Sequence, residues 1–167
     1  MSPIAKTLLA LCFSMLVVGE CIAAPKPDFV AGKWVLTAAV DEDGTSWDGS
    51  TLKFTSQEKT TTGFRLSGYF VWRNRKEVRG RENVTGNYSE KTRILALEGH
   101  SIEKPVATVA AAYRAVLSSD RRFLSHGSWS TKNDGELAVS GKWTATLVGD
   151  YKARPRSTLH GIKRAKN

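Results

Sequence analysis

The strongest constraint on the fold is an alternation. Across 64–73 the side chains Phe64, Leu66, Gly68, Phe70 and Trp72 fall on one face of an extended chain, and Arg65, Ser67, Tyr69, Val71 and Arg73 fall on the other. Successive strand residues point to opposite faces, so a period of two sustained over this length predicts a strand with one buried and one solvated side. The pattern recurs over 77–88, where Val78, Gly80, Glu82, Val84, Gly86 and Tyr88 alternate with Arg79, Arg81, Asn83, Thr85 and Asn87. Segments of the same kind cover 33–40, 50–57, 93–98, 122–131 and 137–148. Turn-forming clusters punctuate them: Asp41-Glu42-Asp43-Gly44, residues 59–63, Ser118-Ser119-Asp120, and Asn133-Asp134-Gly135, which is a tight-hairpin signal. Segment 101–105 reads as a connection. Segment 107–117 carries Ala110-Ala111-Ala112, which suits a helix, but Tyr113, Val116 and the turn that follows favour a strand.

About eight short strands without a long helix predict an all-β fold, a single antiparallel up-and-down eight-stranded barrel. Closure removes the sheet edges that would otherwise pair with other chains. A β-sandwich is the alternative. The 167 residues suffice for one domain with a real core, and 41% hydrophobic with 25% charged residues exclude global disorder. The glycines Gly68, Gly80, Gly86, Gly127 and Gly141 fall within strands, where they suit bends or close approach of a neighbouring strand.

The ends of the chain read differently. Lys6, an apolar run over 7–18 and the small residues of Cys21-Ile22-Ala23 have the layout of a signal peptide, too short in its apolar part to span a bilayer. The expected division is therefore 1–23 signal peptide, 24–150 barrel and 151–167 tail, in a protein exported to the periplasm or secreted. Cys12 and Cys21 both fall in the leader, so the mature protein is expected to lack disulfides, thiol catalysis and cysteine metal ligands. The tail holds Lys152, Arg154, Arg156, Lys163, Arg164 and Lys166 without an acid, which is +6 of the net +9. It is either a solvated charge run or a means of adhering to an anionic surface such as envelope lipid or nucleic acid. Tyr151 is its one aromatic residue, which argues against stacking on single strands.

Gly32-Lys33-Trp34, Gly127-Ser128-Trp129 and Gly141-Lys142-Trp143 repeat a Gly-x-Trp pattern on strand-like segments. The first, at the head of the first strand, resembles the calycin group of small barrels, the lipocalins and avidins. That resemblance implies an eight-stranded barrel with a cup-shaped interior and a Trp plugging one end. Asp48-Gly49-Ser50-Thr51-Leu52 is similar to the avidin segment on the second strand. Gly63-Phe64-Arg65-Leu66-Ser67-Gly68-Tyr69 is similar to the avidin strand that follows. Trp143-Thr144-Ala145-Thr146-Leu147-Val148-Gly149-Asp150 is similar to the last one. The resemblance implies Ser50 and Tyr69 as hydrogen-bond donors to a bound ring, Trp129 and Trp143 as apolar walls, and Asp150 as a polar acceptor. Ser46 stands where avidins carry Asn, the loop between Trp34 and Ser50 is longer, and the spacing from Trp143 to Asp150 is one residue shorter. Those departures argue against biotin itself. Each Trp also has a purely structural use, since a buried indole supplies large apolar area.

Glu82 falls on the same face as Val84 and Tyr88. A carboxylate there needs a partner, or its pKa rises. The expected resolution is a salt bridge to a neighbouring Arg, or a one-residue slip of register that sends it to solvent. The other reading is a pocket acid that selects a hydroxyl or a cation. Catalysis finds little support. His100, His126 and His160 are scattered without metal-ligand spacing, and nucleophile elbow, phosphate loop and dinucleotide fingerprint are all absent. The carboxylates of 41–43 lie in a turn, where solvation explains them. Asn83-Val84-Thr85 and Asn87-Tyr88-Ser89 are glycosylation sequons that matter only in a eukaryotic source.

The expectation is thus an exported, non-enzymatic barrel without cofactor or metal. It would bind a small apolar or amphipathic ligand against Trp129, Trp143 and Trp72, oriented by Tyr69 and Ser50. The rival is a protein-binding barrel, such as an inhibitor of a secreted enzyme or an envelope-associated protein, working through its rim, its basic tail or its N-terminal segment. For the last, 24–29 resembles the flexible segment ahead of a Gly-x-Trp strand in bacterial metalloprotease inhibitors, which usually carry a disulfide absent here.

Overall fold

A computed structural model describes residues 26–103, 109–131 and 139–149; the leader, Asp150 and the basic tail lie outside them. Eight strands follow one another: β1 (Lys33–Asp41), β2 (Thr51–Lys59), β3 (Gly63–Asn74), β4 (Glu77–Ser89), β5 (Ile94–Glu103), β6 (Ala111–Leu117), β7 (Phe123–Thr131) and β8 (Ser140–Val148). Each pairs antiparallel with the next, and β8 pairs with β1, so the sheet closes as an up-and-down barrel. A sandwich is excluded by that closure. The architecture is compatible with a calycin-like fold.

Two boundaries differ from the sequence reading. β5 runs on to Glu103, because a bulge at Asn83/Val84 lets it stay in register with β4 as far as Arg81↔Glu103. The expected connection over 101–105 is therefore strand through 103. The alanine-rich segment is strand from Ala111, with Ala111, Tyr113, Ala115 and Leu117 inward, a period of two that a helix does not give. The Asn133-Asp134-Gly135 turn lies outside the described residues. Among the described residues, no helix is long and apolar enough to cross a membrane.

The inward faces carry the core. Leu52, Phe54, Leu66, Phe70, Leu95, Ala115 and Leu124 are buried to within 1% exposure. Burial of this alternating apolar set is the main favourable term for a barrel this size. The lower end, where β1 begins, is shut by aromatic packing. Phe29 lies 5.0 Å from Tyr88, 5.4 Å from Phe54 and 6.2 Å from Trp34, centroid to centroid. Gln57 ties the incoming chain across that end: its Oε1 accepts the Phe29 N–H at 2.8 Å and its Nε2 donates to the Pro27 carbonyl at 2.9 Å. Pro27 and Phe29 are buried. The last residues of the segment read as a flexible inhibitory arm thus form part of the barrel floor.

At the upper end β3 and β4 are joined by a two-residue turn. Arg75 and Lys76 have φ of 48° and 71°. Two successive positive φ values match the right-handed twist of the flanking strands, but the conformation favours Asn-Gly over two side chains with full Cβ substitution.

Candidate functional site at the upper end of the barrel

The alternation that places Phe70 and Trp72 inward also places Glu82 inward, directly across the ladder from Phe70. Glu82 is fully buried. Its Oε2 accepts the Trp72 indole N–H at 2.8 Å and the Tyr113 hydroxyl at 2.5 Å, and its Oε1 accepts the Ala111 backbone N–H at 2.9 Å. Neither expected resolution holds. No register slip occurs, and Arg79 and Arg81 cannot reach the carboxylate from the outer wall. They bridge instead to Glu77 at 3.1 Å and Glu103 at 3.6 Å. Three neutral donors satisfy Glu82. Gly99, facing it from β5, makes the room, since a Cβ there would lie 1.8 Å from Oε1.

Burial pushes the Glu82 carboxyl above its ordinary value, against the pull of the Tyr113, Ala111 and Trp72 hydrogen bonds. Burial and the adjoining carboxylate hold the Tyr113 hydroxyl well above its ordinary value, so it remains a donor. The network fixes an aromatic cluster. Phe70 stacks on Trp72 at 4.8 Å and meets Tyr113 at 4.6 Å, and Trp143 stands edge-on to Phe70 at 6.1 Å. These four rings and the acid are all buried, so the middle of the barrel is a packed core.

The two later Gly-x-Trp motifs interlock. In the β7–β8 ladder Gly127 faces Trp143, and Trp129 faces Gly141. A Cβ on Gly127 would lie 2.8 Å from atoms of the Trp143 indole, and one on Gly141 would lie 2.3 Å from Trp129 Nε1. Each glycine vacates the space that the other motif's indole fills. The recurrence that stood out in the sequence is therefore a reciprocal packing device. The Trp143 N–H donates to the Ser128 carbonyl at 3.1 Å. Trp129, nearer the rim, is partly buried, and its Nε1 is buried without an acceptor.

Trp47, in the β1–β2 connection, covers part of this end. It stands edge-on to Trp72 at 5.9 Å and donates to Asp41 Oδ2 at 3.1 Å. Its own N–H to the Ala39 carbonyl (2.8 Å) and the neighbouring Asp48 Oδ1 accepting the Ala39 N–H (2.6 Å) hold the connection down. Burial raises the Asp41 pKa, and the nearby Asp43 raises it further.

The structure thus turns Trp72, Trp129 and Trp143 inward, Trp72 and Trp143 on either side of Phe70 and Trp129 nearer the rim across the ladder from Tyr113, and leaves the other expected site residues elsewhere. Ser50 is fully buried, but its Oγ accepts the Arg73 N–H at 2.8 Å and donates to the Arg73 carbonyl at 3.4 Å. That hydroxyl braces β3 beside the Trp72/Arg73 bulge and is not turned to a ligand. Tyr69 points outward, between the inward Gly68 and Phe70, with the Arg81 guanidinium 3.9 Å over its ring. Parity removes it from any interior site. Asp150 lies outside the described residues. Sequence reasoning missed Tyr113, Trp47 and Gly99 as members of the site. The oddity of Glu82 was the signal that pointed to them. Among the described residues, no group of three or more His, Cys, Asp or Glu side chains is placed to hold a metal ion. Comparison with protein-family models, with curated proteins and with solved structures finds no match to this chain.

Proposed function

We propose that the protein is an exported, non-enzymatic, calycin-like barrel that holds a small amphipathic ligand at its upper end. The apolar part of the ligand rests on the partly exposed side of the Trp129 ring, above the cluster that holds Phe70, Trp72 and Trp143. The observation that carries this reading is Trp129 itself: an inward indole near the rim that is only partly buried, whereas Trp34 at the other end is 1% exposed. An apolar wall with one or a few fixed polar groups is the usual make-up of a small-molecule site. The Glu82 network serves as a rigid floor that keeps Trp72 and Tyr113 in place. Ser50 and Tyr69 take no part.

Native mass spectrometry of the protein purified from its own host tests the reading. A small molecule should co-purify with the wild-type chain and be lost from Trp129→Ala, which removes the ring on which it would rest. A bare wild-type chain, or equal retention by the variant, contradicts it.

A further inference from the structure

The outer wall over β6, β7, β8 and β1 carries an open trough of about 580 Å³. The ladder registers lay its side chains out in two rows. One row reads Arg114, Ser128, Lys142, Val40, and the next reads Ala112, Ser130, Ser140 and, beyond the end of β1, Glu42. Small residues over the middle make the depression. Arg114 and Lys142 lie two strands apart, about 10 Å between backbones, with a serine between them. Neither has an ion-pair partner among the described residues. At the far end the Glu42 carboxylate accepts the Ser140 hydroxyl, and the Glu42 N–H donates to the Ser140 carbonyl at 3.1 Å, which fixes the acid against the wall.

The trough therefore presents two cations without ion-pair partners, Arg114 and Lys142, in one row, and the anchored Glu42 carboxylate in the next row, one strand beyond Lys142. A bare oxyanion uses only the cation row, and a polyphosphate chain reaching past it would meet Glu42. A ligand with one acid group for the cation row and hydroxyl donors beside it complements both. We propose that this trough binds an acidic saccharide, with its carboxylate between Arg114 and Lys142 across Ser128 and its hydroxyls donating to Glu42 and bonding to Ser130. Charge-assisted bonds from a guanidinium and an ammonium select the acid, and the volume suits one or two sugar rings. The trough lies on the outside of the barrel, and Tyr113 and Trp129, whose side chains turn inward, also border it.

Isothermal titration calorimetry with galacturonate, neutral galactose and sodium sulfate tests it. Galacturonate, which carries a single carboxylate, should bind at least about tenfold more tightly than either of the others. Arg114→Gln and Lys142→Gln should each weaken galacturonate by about tenfold while leaving galactose unchanged. Glu42→Gln should weaken both sugars. All three positions are exposed, and unchanged circular dichroism confirms the fold of the variants. No galacturonate binding, equal binding of acid and neutral sugar, sulfate binding as tightly as the sugar acid, or indifference to Arg114→Gln and Lys142→Gln would each overturn the proposal.

Discussion

At the lower end of the barrel Phe29 meets Trp34, Phe54 and Tyr88 ring to ring, and Gln57 clips the chain that carries it. At the upper end the rings of Trp72 and Tyr113 are held by hydrogen bonds to a buried carboxylate, and Trp129 is left partly exposed; an indole N–H without an acceptor occurs at both ends, on Trp34 as on Trp129. The lower closure is dispersion and apolar burial, which fills space and responds little to pH. The upper closure places a charge in a low dielectric and surrounds it with donors, a less economical way to fill a barrel. A sequence that uses hydrocarbon at one end and a carboxylate network at the other is holding the second set of rings in a defined geometry. That contrast is the physical basis for placing the proposed ligand at the upper end.

The contrast can be broken from either side. The largest effect should come from the floor. Phe29→Ala should cost about 3–5 kcal/mol, measured by urea unfolding, with the same loss at every pH from mildly acidic to neutral. A loss of under about 1 kcal/mol would mean that Phe29 does not close the barrel.

Glu82 comes next. Glu82→Ala strands three donors and should cost about 2–4 kcal/mol, and Glu82→Gln, which keeps one acceptor oxygen, about 1–2 kcal/mol. The pH dependence separates charge from packing. Because burial raises the folded-state pKa of Glu82, the folded protein holds that proton more tightly than the unfolded chain does. Stability from this group is fully present below its ordinary value and falls as pH rises through the raised folded value. Asp41 is shifted the same way, so the difference between wild type and Glu82→Gln is the informative quantity. The variant should lose the part of the slope that belongs to Glu82, and parallel pH curves would show that Glu82 does not titrate within the fold.

Smaller effects probe the interlocked motifs. Gly127→Ala and Gly141→Ala should each cost about 1–3 kcal/mol by pressing a methyl group into an indole and a neighbouring backbone carbonyl, that of Trp143 or of Val40, with a change in tryptophan fluorescence. Smallest, and opposite in sign, is the β3–β4 turn. Arg75→Asn with Lys76→Gly should stabilise by about 1 kcal/mol, because both residues already sit at positive φ.

Much of this was legible in the chain. The alternation over 64–73 gave the inward set of β3 and, with the turn spacing, the barrel. The same alternation put Glu82 inside, and it also ruled out the expected arginine partners: Arg79 and Arg81 share its strand at odd positions and so must face out. What a single sequence could not supply was the true partners. Tyr113 and Ala111 lie 31 and 29 residues on, and they reach Glu82 only through the registers of β4–β5 and β5–β6, one of which contains a bulge. The Gly-x-Trp echo was visible, but its reciprocal pairing depends on the β7–β8 register past the Leu124/Gly127 bulge. Ser50 and Tyr69 were carried by resemblance. For Tyr69 the local parity already pointed the other way.

In the proposed function the two ends do different work, the lower sealing the barrel and the upper receiving a ligand. Titration with the uncharged dye Nile red, comparing Trp34→Phe with Trp129→Ala, tests it most directly. The proposed function predicts that Trp34→Phe keeps the wild-type dye affinity while Trp129→Ala loses it by about tenfold. Equal affinity in the two variants, or loss on Trp34→Phe alone, would contradict it.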